Sequence, residues 1–152
     1  LRKDMRLAFV SAVRRGSALG FMMPVQKEGT YAIPLTRIVA DIRVSMAGDV
    51  ATKVVLGERW TGAASDLEHI RQRLNYLAWH GIFGGAVMKP GELTKPQAER
   101  LQSFVQEQWE ETDKLLTKHK AQVSALAEAL MEKHELPGHE AERIIQEAEE
   151  VR

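Results

Sequence analysis

Apolar residues recur along this chain in two different periods, and the change of period divides it. From Leu7 to Val13 the residues are mostly β-branched, aromatic or small, and Arg14-Arg15-Gly16 closes the run. Ala18 to Val25 forms a second apolar run, ended by Gln26-Lys27-Glu28-Gly29. Two short apolar runs with turn residues between them predict a small antiparallel sheet within residues 1–33. Irregular chain packed on helices is the competing reading of the same stretch. From Pro34-Leu35-Thr36 onward the spacing becomes helical, with Ile38, Val39, Ile42 and Met46 on one face. Gly48-Asp49 predicts a kink, after which Val50, Val54 and Val55 carry the face to Gly57. A further helix starts after Thr61-Gly62, with Leu67, Ile70, Leu74, Leu77 and Ala78 inward and Gly81 as its end. These helices occupy residues 34–81.

Gly81 to Gly91 has the glycine and proline content of a loop. Thr94 followed by Pro96 predicts the next helix start, since proline tolerates the first turn, where its missing N–H costs little. Leu101, Phe104, Val105, Trp109, Leu115, Leu116, Val123, Leu126 and Leu130 then form a pattern too long for one average helix. It predicts two helices with a bend at Lys118-His119-Lys120, a break at Leu136-Pro137-Gly138, and a last helix carrying Ile144-Ile145. Residues 94–152 are therefore read as C-terminal helices. The fold class is mainly α with a small β element near the N-terminus, arranged as a single domain over 1–152.

Composition narrows the chemistry. A chain of 152 residues with 44% hydrophobic content can bury one ordinary core. Lys plus Arg number 21 and Asp plus Glu number 21, so no net field favours nucleic acid or an anionic membrane. The absence of cysteine excludes disulfides, thiolate ligands and cysteine nucleophiles, which fits a cytoplasmic or other reducing compartment. No apolar run reaches the roughly 20 residues of a membrane span, and Leu1-Arg2-Lys3-Asp4 does not read as a signal peptide. No Walker loop occurs, and no serine stands in a nucleophile-elbow pattern. The chain begins without methionine, and a longer parent polypeptide is expected.

Several stretches, in order, carry a family resemblance: Gly16-Ser17-Ala18-Leu19-Gly20-Phe21; Ala47-Gly48 followed by Val54-Val55-Leu56-Gly57-Glu58; and Thr61-Gly62-Ala63-Ala64-Ser65-Asp66-Leu67-Glu68. Leu115-Leu116-Thr117-Lys118-His119, Leu126-Ala127-Glu128-Ala129-Leu130 and Leu136-Pro137-Gly138 continue the series. Together they resemble the peptidase domain of the FtsH family of ATP-dependent zinc proteases (M41-like), across nearly the whole chain. The resemblance implies a largely helical domain with a small β element. It also implies that Asp66 corresponds to the third zinc ligand, and that a complete protein would be a membrane-anchored hexameric ring degrading unfolded proteins.

The same resemblance exposes a deficit. Zinc peptidases of this kind use H-E-x-x-H, which sets two imidazoles one helical turn apart and a glutamate beside the bound water. No such motif occurs in the 152 residues. His134-Glu135 begins like one, but the next histidine is His139, with helix-breaking Pro137 and Gly138 between. His69 shares a helix with Asp66, while His80 and His119 have no ligand-spaced companions. By resemblance the motif would fall before Leu1. Two departures lie within the chain. An acidic pair after the family's glycines is replaced by Thr52 and Lys53, and the His80-Gly81-Ile82-Phe83-Gly84-Gly85 segment is short.

Two functions follow as expectations: a degenerate, non-catalytic assembly or interaction module, or a piece of an active zinc endopeptidase whose H-E-x-x-H precedes Leu1. No catalytic residue and no cofactor is assigned to this chain as it stands, with zinc entering only through the second reading. A helical interaction domain unrelated to proteolysis is the outlying alternative. Trp60, Trp79, Phe83 and Trp109 are candidates for subunit contacts, with core packing the competing role, above all for Trp109.

Overall fold

The computed structural model describes residues 5–14, 20–26, 32–60, 62, 64–85 and 93–150. They form two compact units, Leu1–Tyr31 with Leu116–Arg152, and Ala32–Leu115. The architecture is mainly α with a small sheet, as the periodicity predicts.

In the first unit, β1 (Met5–Ser11) pairs antiparallel with β2 (Phe21–Gln26), running from Met5↔Gln26 to Ser11↔Phe21 with an irregularity between Leu7 and Phe9. Met5, Leu7 and Phe9 are half-buried while Arg6 and Ala8 are exposed, the alternation of a one-sided sheet. Phe9 and Phe21 stack across the pair with ring centroids 5.9 Å apart. The first strand ends two residues earlier than the apolar run. Ser11 Oγ accepts the Val13 N–H at 3.1 Å and donates to Glu135 Oε1 at 3.1 Å. That hydroxyl turns the backbone out of the ladder. The start of the second expected run, Ala18-Leu19, and the turn residues 15–17 and 27–29 lie outside the described residues.

A third strand was not anticipated. Glu135–Pro137, expected only as a helix break, forms β3 on the other side of β1, giving the order β2-β1-β3. Its approach is set by His134, which ends the helix α4 (Lys120–Lys133) in a left-handed conformation with φ 64°. There its N–H bonds Leu130 O at 2.9 Å, and its carbonyl accepts the Ala12 N–H at 2.8 Å. The final helix, α5 (Gly138–Glu150), begins directly against β1. A Cβ on Gly138 would lie 1.6 Å from the Leu7 carbonyl oxygen, so only glycine fits there. Leu136 and Ala141 are fully buried beside this junction.

In the second unit, α1 (Leu35–Leu56) and α2 (Ala64–Trp79) pack on each other, with α3 (Lys95–Lys118) contributing to the same core. Ile38, Ile42 and Met46 of α1 meet Ile70, Leu77, Ala78 and Phe83. Ile42, Met46 and Leu77 have no exposed surface, and each such side chain contributes about 1.5–3 kcal/mol by leaving water. Phe83 meets Phe104 of α3 edge-on at 5.5 Å. At Gly48-Asp49, where a kink is expected, α1 stays helical through both residues. One expectation needs correction. Leu67 does not face inward: it is 52% exposed, because the buried stripe of α2 begins one turn later, at Ile70.

The helix ends follow local chemistry. Gly57 terminates α1 with φ 85°, its N–H on Lys53 O. Before α3, Gln97 Oε1 accepts the Thr94 N–H at 2.8 Å, the reciprocal half of a capping box. Residues 81–85 form turns, and the rest of the expected loop, 86–92, lies outside the described residues. The helical pattern is interrupted at His119, between α3 and α4.

On the solvent face of α2, Glu68 accepts hydrogen bonds from Arg71 Nε (2.8 Å) and Nη2 (2.7 Å), and from Gln72 Nε2 (2.9 Å). The Arg71 hydrogen bonds, followed by that of Gln72, lower the Glu68 pKa to about 2. The folded value lies below the unfolded one. The stabilisation is therefore present above the ordinary glutamate range and is lost as pH falls toward 2. Side-chain carboxyl NMR should show Glu68 titrating near pH 2; a midpoint in the ordinary range above 4 would contradict the contact. Gly138→Ala should destabilise by about 1–3 kcal/mol, as overpacking does, seen as a lowered thermal midpoint. An unchanged midpoint would mean that α5 does not abut Leu7.

Candidate functional site

Asp66 lies in the first turn of α2, half-buried, with its carboxylate directed at α1. A Cβ built on Gly48 would stand 3.6 Å from Asp66 Oδ2, so the acid rests against the one residue of α1 without a side chain. The glycine thus serves close approach within an intact helix. His69, one turn on and exposed, lines a shallow groove with Ile38, Asp41, Gln72, Arg73 and Tyr76. His80 stacks on Tyr76 at 4.4 Å. His119 places Nδ1 2.8 Å from Gln122 Oε1 at the start of α4. His134 is an exposed helix cap, and His139 is exposed near the start of α5.

Among the described residues, no three His, Asp or Glu side chains gather into a group that could hold a metal ion. The donor set at Asp66 is one carboxylate, whereas a zinc peptidase centre takes three protein donors and keeps one open position. These residues do not by themselves fit zinc.

The most structured polar feature lies elsewhere, in a cleft of about 680 Å³ between α1 and α3, which sequence reasoning did not identify. The Asp49 side chain is 8% exposed and is paired with Arg59, which follows the end of α1. The Arg59 guanidinium stands 5.1 Å from the Trp109 ring centroid, a cation–π distance. Its pKa is raised, chiefly by the hydrogen bond to Asp49. One turn along α1, Lys53 Nζ bonds Asp113 Oδ1 of α3 at 2.7 Å. Thr52 Oγ1 donates to the Asp49 carbonyl at 2.7 Å. Arg43 Nε donates to the buried Gln108 Oε1 at 2.8 Å, a second polar link between α1 and α3. An acid at a buried helical position and an arginine in a connection carry no periodic signal, so only their separate oddities were visible in the sequence.

The aromatic candidates divide by burial. Phe83 is 2% exposed and belongs to the core, which removes it as a surface contact. Trp109 is half-buried, packed on the core and capped by Arg59. Trp60 and Trp79 are 58% and 50% exposed and retain surface to offer.

Comparison with known proteins matches residues 1–77 to the model of peptidase family M41. The ATP-dependent zinc metalloprotease FtsH of Kosmotoga olearia is 31% identical over 92% of this chain and 25% of its own length. That of Thermus thermophilus is 28% identical over 90% of the chain and 25% of its length. That of Helicobacter felis is 26% identical over 95% of the chain and 26% of its length. The chain therefore spans about a quarter of the curated relatives it matches. No described helix is long and apolar enough to cross a membrane. With half of its residues matched by the family model, and in agreement with the helical fold and small sheet, the chain belongs to peptidase family M41.

Proposed function

We propose that residues 1–152 act as one M41-type module of an FtsH-like ATP-dependent protease homologue, contributing assembly and protein contact without cleaving peptide bonds themselves. The observation that carries this reading is the use made of positions 52 and 53. Where the family resemblance places an acidic pair, Thr52 bonds its own helix backbone and Lys53 is paired with Asp113. Neither supplies a carboxylate to orient a ligand histidine, the usual work of an acid beside a zinc centre. Both serve the architecture of α1 and its contacts with α3. The partners on this reading are further copies of the chain, in a ring by analogy with the family. Membrane association would come through other segments of a longer polypeptide, in a reducing compartment.

A second reading is favoured by Asp66 alone. Its half-buried carboxylate lies against Gly48, and by family resemblance it would be the third zinc ligand of an active endopeptidase acting on unfolded proteins, with the H-E-x-x-H upstream of Leu1. Zinc would then supply Lewis acidity and an activated water, and this chain would contribute one carboxylate.

The two readings separate in one experiment. A ligand at 100 times its dissociation constant stabilises a fold by about 2.7 kcal/mol, a shift of several degrees at this size. The measurement is made on the natural polypeptide that carries these residues, with whatever precedes Leu1 included, because one carboxylate cannot hold zinc by itself. On the first reading, zinc leaves its thermal midpoint unchanged and casein stays intact. A zinc-dependent rise abolished by Asp66→Ala, or casein cleavage reversed by a chelator, would overturn it.

A further inference from the structure

We infer that the notch formed by Asp49 and Trp109 is a guanidinium-binding site, filled from its own chain by Arg59 and able to accept an arginine side chain from another protein segment instead. This goes beyond the family assignment and does not depend on the role of Asp66.

Three observations converge on the ligand. The Asp49 carboxylate is more than nine-tenths buried and reaches a single charged partner, Arg59, among the described residues. A buried carboxylate left unpaired is strongly unfavourable, so the site retains a demand for a cation when Arg59 leaves. The Trp109 face supplies the second element, a surface on which a planar cation stacks better than a compact ammonium does. The third is the state of the occupant. The Arg59 side chain is 62% exposed and belongs to the connection after α1, so it lies across the mouth of the cleft without being enclosed by it. About 680 Å³ remains beside it, a volume within the range of sites that take small ligands.

The other charges lining the cleft sharpen the choice. Lys53 is committed to Asp113, and Lys114 to Glu111 at 3.1 Å. Glu110 accepts a hydrogen bond from Gln106. Removal of Arg59 leaves Asp49 as the buried acid of the cleft without its cation, with the exposed Glu110 held only by a neutral amide. That selects a cation, and Trp109 beside Asp49 selects a flat one. Exchange of one arginine for another conserves the contacts. Tethering gives Arg59 an effective concentration of about millimolar or more, so an outside arginine must be presented at comparable local concentration, as on an assembled partner.

The test is calorimetric titration of the full chain with N-acetyl-arginine amide and N-acetyl-lysine amide. Arg59→Ala should bind the arginine amide at least tenfold more tightly than it binds the lysine amide, and at least tenfold more tightly than wild type binds either. Adding Asp49→Asn to Arg59→Ala should abolish the binding. Should Arg59→Ala not fold, Arg59→Lys keeps a charge beside Asp49, and arginine amide should raise its thermal midpoint where lysine amide does not. Equal responses to the two amides, or binding that survives Asp49→Asn, would overturn the assignment.

Discussion

The packing of α1 on α2 is the constraint on which the site depends. Ile42 and Met46 of one helix and Leu77 of the other are wholly removed from water, and they fix how far each helix can slide. A slip of one turn moves a side chain by about 5.4 Å and would expose part of that layer. With the register so held, the start of α2 meets α1 at Gly48, the position where a carboxylate can approach without displacing a side chain. The placement of Asp66 is thus a consequence of apolar packing up to about three turns away.

The same helix also carries the polar cleft. Ile42, Met46, Asp49 and Lys53 follow one another at intervals of three and four, so they share a stripe along α1. Its first half is hydrocarbon and packs into the core, while its second half is ionic. Asp49 holds Arg59, and Lys53 holds Asp113. A buried carboxylate is a weak contributor to net stability but becomes costly when its partner is removed. That asymmetry makes Asp49 demanding toward whatever cation stands beside it. Membership of family M41 rests on the match over residues 1–77 and the fold, and this cleft is a feature of the chain's own residues.

Most of the helical framework was legible from apolar spacing, because Ile38, Ile42, Met46, Ile70 and Leu77 recur with the helical period and are buried in the structure. The helix break at His119 and the start at Thr94 were legible from local chemistry. What escaped had non-local causes. β3 is only three residues long and exists because β1 offers it an edge, so Leu136-Pro137 read as a break. Gly48 suggested a kink by its helix propensity, whereas its role is set by a carboxylate from another helix. Leu67 looked inward by spacing, yet it sits at the exposed start of α2, ahead of the buried stripe. Asp66 was legible through family resemblance, but the Asp49–Arg59–Trp109 group joins residues 60 positions apart and had no pattern to announce it.

The register between α1 and α2 can be measured directly, since the chain has no native cysteine to confuse the result. Gly48→Cys combined with Asp66→Cys should give an intramolecular disulfide under mild oxidation, detected by loss of free thiols and by mass, with the helical signal preserved. Two thiols that stay free in a folded protein would show that Asp66 does not face Gly48, and the account of the site would fail with it.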